Sequence, residues 1–114
     1  MQSEQSEFEK NLAKVKDSGK WYAVSMFLTN YGPWGFKIEV DAVRDLPNGQ
    51  HETSSYNIDG PTLDQVVKAN LASTTDQAKG VAYRKTKEMF WAAWKRDHPN
   101  DFLTILTFKK AWGL

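Results

Sequence analysis

The sequence predicts an α+β fold, with an antiparallel sheet of about four strands and helices packed on one face. Segments with the two-residue period of strands occur beside segments with the 3.6-residue period of helices. Turns rich in glycine and proline separate them, giving the order α-β-β-β-α-α-β. The 114 residues, 40% of them hydrophobic, fit a single compact domain over residues 1-114.

The first helix and the first strand are predicted from capping residues and apolar patterning. A capping box formed by Ser6 and Glu9 indicates where the helix begins, and Gly19 suits its C-terminal end. Residues 21–29 carry apolar side chains on both faces. Because a strand with two apolar faces is usually covered on both sides, we expect this one to be central.

Two further strands follow, each after a turn. Residues 30–35 contain two glycines and a proline, which cannot continue a strand ladder. Residues 36–43 alternate apolar with charged side chains, and an Asn-Gly pair then favours a hairpin. Residues 51–58 are mostly polar, so they are expected at the edge of the sheet.

Two helices and a last strand complete the predicted fold. Capping boxes at Thr62 and Thr74 predict a helix over residues 62–72 and a long helix over residues 74–97. Residues 102–108 have the composition of a strand that is buried on both faces. We expect this strand to pair beside the first one, since both need two covered faces.

The long helix contains one aromatic residue outside its apolar face. At about 100° per residue, the other apolar side chains fall on one broad arc that we expect to face the sheet. They are Val81, Ala92, Ala78, Met89, Ala82, Ala93, Phe90, Tyr83 and Trp94. Trp91 instead falls among Arg84, Lys87 and Lys95. Either the lysine stems or the C-terminal tail cover the indole, or Trp91 contacts a partner.

The turn before the second predicted strand is another candidate site. It carries Tyr31 and Trp34 between glycine and proline residues. Two aromatic side chains in such a turn could form a small recognition platform. They could also fold back and close the end of the core, where large aromatic side chains supply much apolar area.

Charge is distributed unevenly along the chain although the net charge is only +1. Residues 36–64 carry two cations and six acids, whereas residues 79–96 carry six cations and one acid. Such polarity can steer association with a charged partner, or the two segments can lie against each other in the fold.

No pattern in the sequence indicates catalysis, a metal site or a cofactor. The chain has no cysteine, and its two histidines, His51 and His98, do not form a metal-binding pair. Glu39 and Asp41 share a strand face, but Lys37 shares it too, which is typical of a solvated surface. We find no phosphate-binding loop and no nucleophile motif. The expectation is therefore a protein that is not an enzyme.

The sequence also predicts a cytoplasmic location without membrane contact. Residues 1–7 are polar and acidic, unlike a secretory signal. No run approaches the roughly 18 apolar residues that a membrane span needs.

These observations favour a small binding protein, a regulator or inhibitor that contacts a larger cytoplasmic assembly. The expected protein-binding residues are Arg84, Lys87, Trp91, Lys95, Trp34 and Tyr31. One alternative is nucleic-acid binding through the same helix face, with phosphates on the cations and a base stacked on Trp91. A second alternative is a homodimer formed through the apolar C-terminal strand.

Overall fold

A computed structural model of the protein describes residues 2–105, with side chains from residue 9 onward. It confirms an α+β fold. The elements are α1 (Gln2–Ser18), β1 (Trp21–Asn30), a 3₁₀ helix (Gly32–Trp34), β2 (Phe36–Asp45), β3 (His51–Asp59), α2 (Leu63–Lys68), α3 (Thr75–Asp97) and β4 (Leu103–Thr104). The last strand was predicted over residues 102–108, but β4 contains only two of them, and residues 106–108 lie outside the described residues. The expectation that this strand is buried on both faces was wrong for Phe102, which is 90% exposed.

The four strands form one sheet in the order β3-β2-β1-β4. The predicted edge position of β3 and the predicted pairing of the last strand with β1 are both confirmed. The expectation of a purely antiparallel sheet was wrong, because β4 runs parallel to β1, with Trp21 opposite Leu103. Only a hairpin turn requires antiparallel neighbours, whereas a crossover through helices, such as the one through α2 and α3, permits a parallel strand.

Contacts divide the described chain into two compact units. Unit 1 contains residues 2–26, 40–55 and 100–105, and unit 2 contains residues 27–39 and 56–99. Each of the three long strands contributes residues to both units. The prediction of a single domain over the whole chain stays a prediction.

Unit 1 has a small core around the first residues of β1. Trp21 and Tyr22 are buried there, together with Val40 and Ala42 from β2. The guanidinium carbon of Arg44 lies 5.4 Å from the centre of the Trp21 ring, a cation–π arrangement. Helix α1 begins at Gln2, so the start predicted from the capping box at Ser6 was wrong.

Unit 2 has a larger core, in which α3 packs against β2, β3 and α2. The ring of Tyr56 on β3 lies edge-on to Phe90 at 5.6 Å, and Phe36 on β2 lies edge-on to Tyr83 at 5.4 Å. Ala78 and Ala82 are fully buried in the cluster where α3 meets α2. The alanines allow this packing because they have almost no side chain to displace.

Helix α3 is rotated relative to the arc that its sequence predicts. Thr86 is fully buried and donates a hydrogen bond from Oγ1 to the carbonyl oxygen of Ala82, at 2.6 Å. A Cβ on Gly60 would lie 1.8 Å from Thr86 Oγ1, so a glycine is needed at this contact. Met89 and Ala92, which were expected in the core, are exposed. That expectation was wrong because the buried strip of α3 is centred closer to Thr86.

Helix α2 is shorter than predicted. It ends at Lys68 instead of about Ala72, and Asn70 then adopts a left-handed φ of 60° that cannot continue a helix. The predicted capping box at Thr62 is confirmed, with both of its hydrogen bonds to Gln65 formed.

The N-terminus of α3 is capped in a different way from the one predicted. Thr74 accepts a hydrogen bond from the backbone of Gln77, as in a capping box. The side chain of Gln77 accepts instead from the backbone N–H and the hydroxyl of Ser73.

Candidate binding surfaces

The turn that carries Tyr31 and Trp34, called here the aromatic turn (residues 31–35), is closed by its own hydrogen bonds. The backbone N–H of Tyr31 donates to the carbonyl of Gly35 at 2.8 Å, and the N–H of Gly35 donates to Gly32 at 3.1 Å. The side chain of Asn30 accepts from the N–H of Gly32 at 2.8 Å. The hydrogen bonds of these backbone groups are therefore formed within residues 30–35, without help from another element.

A tertiary contact fixes the aromatic turn further. Gly35 has a φ of 90°, and a Cβ there would lie 2.3 Å from the carbonyl oxygen of Pro61. The N–H of Gly60 also donates to the carbonyl of Phe36 at 2.9 Å. The segment before α2 thus closely contacts the end of the turn, which holds the turn in one position.

The aromatic turn presents its large side chains to solvent. Trp34 is 73% exposed and Tyr31 is 49% exposed. The interpretation that they fold back to close the core therefore fails for Trp34. Val67 on the neighbouring helix α2, which contacts the 3₁₀ helix of the turn, is exposed as well. An aromatic residue and an aliphatic one are thus exposed on two elements that contact each other.

The second group of predicted binding residues, called here the Trp91 face (Arg84, Lys87, Trp91 and Lys95), lies on α3. Trp91 is only partly exposed, and its ring lies 4.9 Å from the ring of Phe90. At about 100° per residue it is placed about 60° beyond the buried Trp94. The ring therefore packs on its own helix, and whether Trp91 contacts a partner stays a prediction.

Two of the three cations of the Trp91 face contact side chains of α3. The Lys87 ammonium lies 4.4 Å from the centre of the Tyr83 ring. Arg84 lies 3.9 Å from the Glu88 carboxylate, and both side chains are mostly exposed. Lys95 is exposed. Of these contacts, the one between Arg84 and Glu88 offsets part of the positive charge that a phosphate would encounter.

The predicted residues thus form two groups on two elements of unit 2. Tyr31 and Trp34 share the aromatic turn, while the other four residues share one face of α3. No described contact joins the two groups, so each is treated as a separate candidate surface.

Sequence reasoning missed an apolar groove between α2 and α3. It encloses about 440 Å³ and is lined by Asp59, Gly60, Pro61, Gln65, Val66, Ala69, Leu71, Lys85 and Met89. The groove could not be predicted without knowing the rotation of α3, because the predicted arc placed Met89 on the buried face. The early end of α2 likewise leaves Leu71 outside the helix and exposed.

Sequence reasoning also missed a cavity in unit 1, between the end of α1 and the β2–β3 turn. It encloses about 550 Å³. At its wall, His51 Nδ1 lies 3.0 Å from the carboxylate of Asp45, which also accepts a hydrogen bond from the Tyr22 hydroxyl at 3.1 Å. The hairpin register could have indicated this pair, because Asp45 ends one strand and His51 begins the next.

The contact with Asp45 has an effect on Tyr22. Burial, and then the hydrogen bond to the Asp45 carboxylate, raise the pKa of the Tyr22 hydroxyl. The phenol therefore remains a neutral donor over the physiological pH range.

The acids on the outward face of β2 have partners on the sheet. Asp41 accepts hydrogen bonds from Ser25 at 2.9 Å and from Ser55 at 2.7 Å. Glu39 lies 3.5 Å from the ammonium of Lys37. Between residues 2 and 105, no group of three or more histidines, cysteines or acids is arranged to hold a metal ion.

None of the described helices is long and apolar enough to cross a membrane. In comparisons with protein-family models, curated proteins and solved structures, the chain matches none of them. Its function is therefore inferred from its own surfaces.

Proposed function

We propose that this protein binds a protein partner, as a regulator or inhibitor that acts on a larger cytoplasmic assembly. The observation that supports this proposal is the exposure of Trp34, at 73%, on a turn that is held in place by Gly35 and Pro61. Tryptophan is enriched among the residues that dominate the binding energy of protein interfaces.

The exposed indole offers a large gain in free energy on binding. Roughly three quarters of an aromatic surface of 150–250 Å² is open, which corresponds to about 3–4.5 kcal/mol when it is buried by a partner. A turn that is already ordered loses little conformational entropy on binding, so more of this gain contributes to affinity. Both effects favour the interpretation that Trp34 contacts a partner over the interpretation that its exposure has no function.

The surroundings of Trp34 favour a protein over a nucleic acid. Helix α2, which contacts the turn, carries one acid and one base, Asp64 and Lys68, and they pair with each other at 3.0 Å. A nucleic-acid site instead needs several cations placed to neutralise phosphates. The Trp91 face is more cationic, but its Arg84 and Lys87 are already engaged within α3.

Affinity capture from the native host, with and without nuclease, tests the proposal. We expect the wild-type chain to capture a protein whose recovery is unaffected by nuclease. Trp34→Ala should reduce this recovery at least tenfold while leaving the free energy of unfolding within about 0.5 kcal/mol, as for most surface substitutions. Phe102→Ala is the matched control, because Phe102 is 90% exposed but belongs to unit 1.

Other outcomes of the capture would contradict the proposal. Recovery that disappears with nuclease would indicate nucleic-acid binding, with the Trp91 face as the site to examine. Recovery of the chain itself and nothing else would indicate a homodimer. Equal recovery by Trp34→Ala and wild type would show that the aromatic turn is not the site.

A further inference from the structure

Helix α3 carries a row of four residues, called here the α3 stripe (Lys85, Met89, Ala92 and Arg96), of which Lys85 is half-buried and the other three are exposed. Their spacing of i, i+4, i+7 and i+11 places them on one face of the helix. Met89 is 43% exposed, and Ala92 and Arg96 are exposed as well. Two apolar residues thus lie between two cations on one helix. Apolar residues in such a row on a helix usually face the core, so their exposure suggests a contact surface.

The apolar groove between α2 and α3 lies beside the α3 stripe and shares two residues with it. Val66 lies in it with 1% of its surface exposed, Leu71 is 49% exposed, and Lys85 and Met89 belong to both the groove and the stripe. A volume of about 440 Å³ is enough for one or two large aliphatic side chains. This surface therefore combines a concave apolar site with a ridge along the helix.

The charged residues of this surface define what could bind it. Among the described residues, no carboxylate forms an ion pair with Lys85, while Asp59 lines the groove as its one acid. Arg96 donates from Nε to the adjacent Asp97 at 3.0 Å, and its side chain is mostly exposed. The guanidinium has five N–H donors, so it can bind a further carboxylate.

We propose that the α3 stripe and the groove bind an acidic amphipathic helix of the protein partner. An aliphatic side chain of that helix enters the groove beside Leu71 and Met89, and its carboxylates meet Lys85 and Arg96. Because these two cations are eleven residues apart on one helix, the matching acids lie about 16 Å apart. Ala92 between them permits close approach of the second helix, as in other helix-in-groove complexes. The inference rests on the proposed function, because it names the chemistry of the partner segment.

A second copy of α3 does not fit this surface. If two stripes packed antiparallel around a twofold axis, Lys85 of one chain would face Arg96 of the other. If they packed parallel, each cation would face its own equivalent. Both arrangements place like charges together, which disfavours pairing of this face with itself and favours an acidic partner.

A binding experiment with two designed peptides tests the inference on the full chain. The first is a fluorescent helical peptide of about 18 residues, with leucines on one seam and two glutamates eleven residues apart. The second has lysines in place of those glutamates. We expect fluorescence anisotropy to show at least tenfold tighter binding of the glutamate peptide, with an affinity that falls as salt is raised.

Reversal of the two protein charges makes the test specific. The K85E/R96E variant should prefer the lysine peptide, because the attractive and repulsive pairs exchange. The K10E/K14E variant changes the net charge by the same amount, but on exposed positions of α1, so it should keep the preference of the wild type. Thermal melting of each variant shows that it is folded.

Three results would overturn the inference: no binding of either peptide, equal binding of both, or no exchange of preference in K85E/R96E. Its failure can be distinguished from failure of the proposed function. If the peptides fail while Trp34→Ala still abolishes capture of a protein, only the acidic-helix inference is lost. If the preference is exchanged as expected while Trp34→Ala captures normally, the aromatic turn is not the main contact.

Discussion

Gly35 has a φ of 90°, and a Cβ at this residue would meet the carbonyl oxygen of Pro61 at 2.3 Å. Only glycine avoids both the left-handed strain and this overlap. The residue next to the exposed Trp34 is thus the one at which the aromatic turn packs against Pro61, in the segment before α2. We therefore expect the backbone at Gly35 to hold Trp34 in its exposed position.

Substitution of Gly35 measures this control. Gly35→Ala should lower the free energy of unfolding by about 2 kcal/mol or more, because strain from positive φ and overlap with Pro61 both act. Gly49→Ala is the matched control, since Gly49 has a similar φ of 82° but no atom within 4 Å of the position that a Cβ would occupy. Urea unfolding of both variants would give the difference, and an equal loss would show that Pro61 does not constrain the turn.

The sequence identifies Trp34 as a candidate residue but does not predict its exposure. A turn with glycine, proline and two aromatic residues is compatible with a surface platform and with a plug over the core. The contact that decides between them joins Gly35 to Pro61, which is distant in sequence. Trp91 shows the converse, because helix periodicity predicted its separation from the core but not its packing on Phe90.

At the scale of elements, a hydrogen bond links β3 to the C-terminal end of α3. The Tyr56 hydroxyl on β3 donates to the carboxylate of Asp97 at 2.9 Å. Hydrogen bonds from Arg96, and then from Tyr56, lower the pKa of Asp97 below its ordinary value of 3.8. The charged form of Asp97 is therefore favoured in the folded protein, at the end of the helix that carries both candidate surfaces of α3.

This linkage predicts a pH dependence. Because the pKa of Asp97 is lower in the folded state, its contribution to stability is present above about pH 4 and is lost as the pH falls through the folded pKa. Tyr56→Phe should raise the pKa of Asp97 toward its ordinary value. The free energy of unfolding should then decrease less as the pH falls, because Asp97 contributes less to it. NMR titration of the Asp97 carboxyl carbon measures the shift directly. An unchanged titration in Tyr56→Phe would show that the tyrosine does not hold the carboxylate.

Most elements of this fold are predictable, because each has its own local signal. The strand beginnings at Trp21, Phe36 and His51 and the end of α3 at Asp97 agree with the periodicity and the turn residues. The rotation of α3 is not predictable in this way, because it depends on Thr86 fitting against Gly60. The direction of β4 depends on the path of the chain through two helices, which local patterning does not specify.

At the scale of the whole molecule, the ion pairs leave the uneven charge distribution of the sequence largely in place. Six ion pairs among the described residues are local and join near neighbours on one helix, on one strand or across one hairpin. Residues 79–96 carry six cations and one acid, so the cations of this segment far outnumber its carboxylates. If the partner is acidic, as proposed, such a charge distribution should accelerate its association, and association should slow markedly as salt is raised.

Photo-crosslinking from position 34 tests most directly whether the aromatic turn contacts a protein. Trp34 is replaced by benzoylphenylalanine in the full chain, which is expressed in the native host and irradiated, and Phe102 is replaced in a parallel control. We predict one defined protein adduct from position 34, absent from position 102, that wild-type chain in excess competes away. No adduct from position 34, or the same set of adducts from both positions, would contradict a protein-binding role for the aromatic turn.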